Sequence, residues 1–385
     1  MNILITMSEL GIGGTERALM GVLQAFFREG ITVTLLLENT DISKWKDSIP
    51  KNVTIRQLSC DTLLANALVG IIPTSYPRNK SALLLKLRQF LTCLLGHLHV
   101  PFNKRFDYAL RYCDDDPMYY DLALDFYGYG KFATAYLARK VKARKKATWI
   151  HSISLTRCDR THAFFSWYDK IYCVSEATKN AFLEHYPQYS EKAEVLYNYL
   201  DVVQIRSMSK QKIDEPDFHG EYIIVSVGRL APEKGYDISI RAAKLLKEKN
   251  FKFRWFLIGE GPERDALQRM ISSLELSEIV VLLGAKKNPM PYIKQADLYV
   301  QSSTNEGFGL TVAEALVLEK TVVASNIESF KEQIVDGENG YLVSNTPEAL
   351  SDCICKVAHQ KSEGIESAFH IKYSTLEEIF NIICC

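Results

Sequence analysis

The stretch Ser302–Glu314, reading SSTNEGFGLTVAE, joins an apolar run to a helical one. Leu298, Tyr299 and Val300 before it close a strand, and Val312, Ala315 and Leu316 after it recur at helical spacing. Strand, glycine-broken turn and helix together place a ligand at the carboxyl end of a parallel sheet. Gly307 and Gly309 let the backbone turn tightly and approach that ligand. The amides that open the following helix lack partners within it and carry partial positive charge. An anion, most simply a phosphate, fits there. Two carboxylates flank it: Glu306 in the loop at the mouth of the site, and Glu314 in the second turn of the helix. Carboxylates accept hydrogen bonds from sugar or ribose hydroxyls, so the implied ligand carries both phosphate and hydroxyl groups. The same acids also suit a helix end that merely complements its dipole, and the stretch alone does not separate the two.

The composition bounds what surrounds it. A chain of 385 residues suits two domains of ordinary size, and 47% hydrophobic with 24% charged residues is a soluble globular composition. Lys+Arg and Asp+Glu both number 46, so no global field draws in nucleic acid. Cys353/Cys355 and Cys384/Cys385 are too close for an ordinary disulfide or zinc framework, and there is no C-x-x-C pair. A reducing cytosol fits. The opening MNILITMSEL has neither the basic region nor the long apolar core of a signal peptide and reads as a first strand. No stretch reaches the ~18 uninterrupted apolar residues of a membrane span.

Strand-like runs at 2–7, 32–37, 53–58, 121–127, 147–150, 170–175 and 195–197 alternate with helical patterns, the signature of a parallel, doubly wound sheet. A glycine loop at 11–16 follows the first strand, with Thr15 as the expected helix N-cap. Gly13 and Gly14 suit a phosphate or sugar near the backbone, and equally a plain strand-to-helix turn. Residues 61–115 break the rhythm. Leu83–Leu85, Leu87, Phe90, Leu91, Leu94 and Leu95 are apolar, Arg78, Lys80, Lys86, Arg88, Lys104 and Arg105 are basic, and no acid occurs from Thr62 to Phe106. Such a stretch can lie in the interface of an anionic membrane or form an ordinary packed helix with solvated lysines. The seven Lys/Arg from Lys131 to Lys146 read as a solvated face, with a second membrane-facing patch as the other reading. Asp114, Asp115 and Asp116, ahead of Pro117, read as a solvated turn. His151 ends a strand, where it points into a ligand crevice or is a hydrogen-bonded structural histidine. Residues 202–220 are polar and unpatterned and read as a linker, after which a second α/β alternation runs from Tyr222.

Four pieces in order carry a resemblance. E-G-F-G-L-T-V-A-E at 306–314 resembles the E-x7-E signature of GT4-type (glycosyl transferases group 1) glycosyltransferases, which have the GT-B fold. Gly228-Arg229-Leu230 followed by Glu233-Lys234-Gly235, Gly259-Glu260-Gly261-Pro262, and Gly13-Gly14-Thr15-Glu16-Arg17 match further elements of the same family. The resemblance is strong over 220–345 and thinner over the first 200 residues. Asn198–Asp201 departs from it, since Tyr199 stands where the family has glycine. The resemblance implies an α/β protein of two Rossmann-like, doubly wound domains facing across a cleft. It divides the chain into 1–201 on the acceptor side, a linker at 202–220, a nucleotide-sugar domain at 221–370, and a C-terminal helix at 371–385 crossing back to the first domain.

Arg229 and Lys234 directly follow a strand, and a planar fork and a point charge both suit a diphosphate. By resemblance they hold the donor diphosphate and stabilise the leaving group. His151 contacts the donor sugar, Glu306 lies beside the transferred sugar, and Glu314 binds the ribose. Gly259, Ala285, Gly307, Phe308, Gly309 and Leu310 complete the nucleotide site, with the base near Gly284–Lys286. The resemblance further implies transfer of a hexose-type sugar from a UDP- or GDP-linked donor to a glycan or lipid-linked acceptor. Retention of configuration, no cofactor and no essential metal follow from it too. The expected setting is bacterial surface-polysaccharide synthesis (capsule, O-antigen or exopolysaccharide), in the cytoplasm or at the inner membrane face, with membrane contact through 78–105. A nucleotide-sugar 2-epimerase and a non-catalytic sugar-nucleotide-binding partner share the fold, and fold alone does not choose among them.

Overall fold

The computed structural model describes residues 1–11, 13–127, 129–359, 372–375 and 377–379. They divide into two units, one of Met1–Tyr199 with the described residues from Ser374 on, the other of Leu200–Tyr373.

The first unit contains β1 (Asn2–Met7), α1 (Gly14–Arg28), β2 (Thr32–Leu37), β3 (Val53–Gln57), α2 (Leu63–Val69), α3 (Arg78–His97), α4 (Phe102–Leu110), β4 (Tyr119–Tyr127), α5 (Phe132–Lys140), β5 (Lys142–Ile150), β6 (Lys170–Cys173), α6 (Glu176–His185) and β7 (Ala193–Val195). Its seven strands lie in the order β3-β2-β1-β4-β5-β6-β7, and every neighbouring pair is parallel. The apolar runs dictate this: Ile3–Ile5 and Val33–Leu37 are buried almost throughout, as strands covered on both faces must be. In α1, Leu19, Val22, Leu23 and Phe26 form the buried stripe. Phe106, Phe132, Phe164 and Phe165 lie in the core over the sheet, and α4 packs there.

Three expectations change here. The α1 cap is Gly13, not Thr15, because Glu16 at the third helical position turns its carboxylate back to accept the Gly11 amide, 3.2 Å. The aspartates at 114–116 form a solvated turn only in part, with Asp114 and Asp115 exposed. Asp116 is buried, paired with Arg56 at 3.0 Å and accepting from the Tyr120 hydroxyl at 3.2 Å. The basic run 131–146 is not one helical face either: β5 starts at Lys142, so its second half lies along a strand, and the Lys146 ammonium donates to the Ala138 carbonyl at 2.8 Å.

The second unit contains α7 (Val202–Met208), β8 (Ile223–Val227), α8 (Tyr236–Glu248), β9 (Arg254–Ile258), α9 (Arg264–Ser273), β10 (Val280–Gly284), α10 (Met290–Gln295), β11 (Leu298–Gln301), α11 (Leu310–Val317), β12 (Val322–Ser325), α12 (Glu328–Lys331), β13 (Tyr341–Val343) and α13 (Pro347–His359). The six strands run in the order β10-β9-β8-β11-β12-β13, again all parallel. The stretch 202–220 is not purely a linker. Asp201 accepts the Gln204 amide at 2.9 Å and starts α7, a cap that a polar stretch conceals.

The helix expected at 371–385 falls largely outside the described residues. Of those described, Ser374 donates its amide to the Asn198 carbonyl at 3.3 Å and bridges Tyr199. No helix among the described residues is long and apolar enough to cross a membrane.

Candidate functional site

In the second sheet β8 is followed by β9 and β10 on one side, while β11–β13 lie on the other. The chain therefore reverses direction across the sheet between β8 and β11, and ligands of open α/β sheets bind beyond the carboxyl ends at such a point. The two loops that start there are 228–235 and 302–309.

The loops are locked together. Thr304 donates its amide to the Glu233 carbonyl at 2.9 Å, and the Ser302 hydroxyl reaches the Gly235 carbonyl at 2.8 Å. Gly235 has φ +61°, and a Cβ there would stand 2.1 Å from the Ser302 carbonyl oxygen, so only glycine lets the loops come this close. Gly309 caps α11 with φ +86°, and a Cβ on it would strike the Phe330 ring at 2.4 Å. It supplies no side chain to the helix start, and no acid lies in the first turn. The amides at the head of α11 thus keep their positive end open to an anion.

Lys234 and Glu306 meet as a largely buried ion pair. Behind Glu306 runs a relay along one side of β11: the Tyr299 hydroxyl donates to Gln301 Oε1 at 2.8 Å, Gln301 Nε2 donates to Ser303 Oγ at 2.8 Å, and Ser303 donates to Glu306 Oε1 at 2.8 Å. An ionised carboxylate only accepts, so Ser303 must donate forward, and that fixes which end of the Gln301 amide faces which neighbour. Arg229 pairs with Glu233 at an exposed position. Burial pushes the Glu233 carboxyl up, but the Arg229 guanidinium beside it prevails and holds it below its ordinary value. Both cations expected at the diphosphate therefore already face a carboxylate.

Glu314 is buried at 3% exposure in the second turn of α11. The Tyr299 phenol is pushed up by burial, with the Glu314 and Glu306 charges adding to it. Phe308 is buried, and its carbonyl accepts from Gln333 Nε2; Gln333 is held in turn by Asn339, whose amide donates to the Gln333 carbonyl at 3.0 Å. Gly307 and Leu310 flank Phe308 and Gly309 in the same turn. Gly259 sits at the end of β9, where an added Cβ would lie 1.8 Å from the Gly228 carbonyl, so its position is set by backbone packing under the 228–235 loop. Ala285 follows β10, and its neighbour Lys286 pairs with Glu215.

Gly13, Gly14 and His151 lie in the first unit. Gly11 donates its amide to the Glu16 carboxylate at 3.2 Å, and its carbonyl accepts from the Trp45 indole at 2.7 Å. His151 sits among the rings of Phe126 (4.8 Å), Trp149 (5.3 Å) and Tyr127 (6.3 Å). Burial pushes its pKa down to about 3, against a backbone hydrogen bond with Phe126, and its Nε2 is buried without a partner among the described residues. It is a neutral imidazole throughout the ordinary pH range. The reading of the sequence missed Tyr299, Gln301, Ser303 and Gln333. For the first three a signal existed: polar groups at a period of two in an otherwise apolar strand.

Residues 207–373 match the profile of a family described as glycosyl transferases group 1. Among curated relatives, the poly(ribitol-phosphate) alpha-N-acetylglucosaminyltransferase of Staphylococcus aureus is 32% identical over 129 residues, 33% of this chain and 26% of that protein. The N-acetylgalactosamine-N,N'-diacetylbacillosaminyl-diphospho-undecaprenol 4-alpha-N-acetylgalactosaminyltransferase of Campylobacter jejuni is 34% identical over 154 residues, 40% of each chain. The alignments span between about a quarter and a half of the relatives' own lengths. The structure of Anabaena HepE in complex with UDP-glucose superposes with TM-score 0.68 at 21% identity, covering 100% of this chain and 98% of that one. A Staphylococcus aureus TarM structure with UDP and alpha-GlcNAc-glycerol gives TM-score 0.68 at 16% identity, covering 100% of both. The fold is that of GT-B glycosyltransferases: α/β, with two parallel-sheet, Rossmann-like domains.

Proposed function

We propose that the chain is a glycosyltransferase that moves a sugar from a nucleoside-diphosphate sugar to a glycan or lipid-linked acceptor in bacterial polysaccharide or glycolipid assembly. The observation that carries this is the juxtaposition of the 228–235 and 302–309 loops at the switch point, with Lys234, Glu306 and the open head of α11 together. In this reading the diphosphate lies on the α11 amides with Arg229 and Lys234, which take up the charge of the leaving group. Glu314 holds the ribose, Glu306 holds a hydroxyl of the transferred sugar, and neutral His151 donates or accepts a hydrogen bond without carrying charge. The bond from the anomeric carbon to the diphosphate oxygen breaks, a bond to the acceptor oxygen forms, and the acceptor proton passes to the leaving phosphate. Transfer proceeds with retention and needs no divalent metal. The matched relatives and the superposed UDP-bound structures support the donor class; the particular base, UDP or GDP, and the sugar are for the assay to name. Incubating the chain with a panel of nucleotide-sugars, with and without EDTA, and following diphosphate release tests the reading. Turnover of at least one donor, unaffected by EDTA, is expected. Activity lost in EDTA and restored by magnesium or manganese would overturn the metal-free part.

The chain also works at the cytoplasmic face of a membrane in this proposal, touching it through 78–105. Leu83, Leu85, Phe90, Leu94 and Leu98 are exposed, and Leu84 is the buried residue of α3. Sedimentation with anionic vesicles is expected to be lost at high salt and in a variant neutralised at Lys86, Arg88, Lys104 and Arg105. Equal partitioning of variant and wild type would reject the membrane contact.

A further inference from the structure

Where α3 gives way to α4, positive charge accumulates without a counterion. The guanidinium carbon of Arg105 lies 4.6 Å from the centroid of the Phe102 ring, and that of Arg160 lies 4.7 Å from the same centroid. Two cations thus share one ring, although like charges repel. Neither guanidinium pairs with a carboxylate among the described residues. The nearest acids in sequence face other groups: Asp107, two residues after Arg105, pairs with Arg139 at 3.8 Å, and Asp159 Oδ1 accepts from the Tyr186 hydroxyl at 2.5 Å and meets His185 Nε2 at 3.1 Å. No acid occurs from Thr62 to Phe106.

The helix adds to the imbalance. α4 is nine residues long, its N-cap Pro101 makes no side-chain cap bond, the Asn103 side chain accepts the Lys104 amide at 2.8 Å, and its first turn holds no acid. Lys104 stands in that first turn and Arg105 follows it. Cations at the positive end of a helix dipole are the unfavourable arrangement unless an anion neutralises both. Arg105 Nε donates to the Val100 carbonyl at 3.0 Å, which anchors one edge of the fork, and its terminal nitrogens make no hydrogen bond among the described residues. Phe102 packs on Phe106, which belongs to the core.

An apolar track leads to this place. Leu83, Phe90, Leu94 and Leu98 recur at intervals of seven, four and four, so they form one stripe along α3 and its C-cap, exposed at 55%, 62%, 41% and 63%. The stripe ends at Leu98, three residues before the α4 cap. A ligand that matches both features has a phosphate joined to an apolar chain. We infer that Arg105 and Arg160, across Phe102 at the head of α4, form a binding site for the phosphate group of a lipid, whose apolar chain lies along Leu98, Leu94 and Phe90. This rests on the membrane-contact reading and deepens it: the contact holds a specific phosphate instead of only a charged surface. Guanidinium forks suit the task, since they meet phosphate oxygens in pairs and keep their charge.

Calorimetric titration of the full chain with decyl phosphate, decanol and inorganic phosphate tests this. Wild type is expected to bind decyl phosphate well above either control. R160Q is expected to weaken that binding roughly tenfold and R105Q/R160Q roughly a hundredfold, about one charge-assisted contact for each guanidinium. Arg160 is exposed and makes no hydrogen bond among the described residues, so R160Q is expected to unfold at the same temperature as wild type, and the melting curve separates loss of binding from loss of fold. K44Q/K46Q removes the same charge from exposed positions of the first unit outside 78–105 and is expected to leave the affinity within about twofold, because a diffuse field is not what holds the ligand. Equal losses in R105Q/R160Q and K44Q/K46Q would reduce the site to a charged surface and overturn the inference. So would unchanged binding in R160Q, or inorganic phosphate or decanol matching decyl phosphate. Vesicle sedimentation and titration with UDP run beside it: failure of either sinks the membrane contact or the donor reading, whereas loss of decyl phosphate selectivity sinks this site alone.

Discussion

Glu306 pairs with Lys234, so a diphosphate has to compete with this carboxylate for the ammonium. Replacing Glu306 by Gln keeps an acceptor for Ser303 but releases the ammonium. We expect E306Q to bind UDP or GDP several-fold more tightly, about 1 kcal/mol. The same variant should lower kcat by roughly 10²-fold, because the hydroxyl-positioning carboxylate is gone. Calorimetry and steady-state kinetics on the same preparation read both effects. Weaker diphosphate binding in E306Q would show that the carboxylate supports the diphosphate instead of competing with it. E314Q is expected to do the opposite: a higher donor KM and weaker diphosphate binding with a smaller change in kcat. The identities of Arg229, Lys234, Glu306 and Glu314 were legible in the sequence because motif spacing reports types and order. Their pairing was not, since Lys234 and Glu306 are far apart in the chain and meet only when β8 and β11 lie side by side.

At the scale of elements, the heads of two helices carry separate consequences. Gly309 opens α11 in the left-handed region against Phe330. Gly309→Ala is expected to cost about 1–3 kcal/mol by strain and to weaken diphosphate binding, read by urea unfolding and by titration. Unchanged values in both would mean the cap relaxes freely and does not shape the site. In the first unit, Glu38 follows β2 and accepts the Ala133 amide at the head of α5, 2.8 Å. Burial pushes its pKa up to about 7, against that hydrogen bond. The folded chain then holds this proton between about pH 4.5 and 7 while the unfolded chain releases it, so its stabilising contribution is lost as pH rises through 7. His151 acts in the other direction. Its pKa falls from 6.5 to about 3, so stability drops as pH falls below about 6.5. Comparing E38Q with wild type cancels the histidine: the variant should gain on wild type by up to about 3 kcal/mol between pH 4.5 and 8. A pH-independent difference would show that Glu38 ionises normally. Glu38 was not legible in the sequence, and His151 was legible as a strand-end histidine but its burial was not, because burial of a polar residue depends on what packs over it. α7 and β13 were missed for a related reason. One is started by a single aspartate inside a polar stretch, and the other is three residues long and gains its strand character from pairing with β12.

For the whole molecule, the alternation of apolar strands with amphipathic helices was enough to specify two parallel sheets, and the strand orders found are those that create a switch point in each. What such a fold does is decided by its loops. The central claim is that the second unit's switch point binds and turns over a nucleoside-diphosphate sugar. The most direct measurement is a panel of UDP- and GDP-sugars offered to the wild-type chain and to Lys234→Gln, with thermal stabilisation and diphosphate release recorded together. The account predicts that at least one donor raises the unfolding temperature and is consumed, and that K234Q slows release by roughly 10²-fold or more, as expected when a leaving-group cation is removed. If no nucleotide-sugar stabilises the chain or is consumed, or if K234Q turns over the donor as fast as wild type, the account is contradicted.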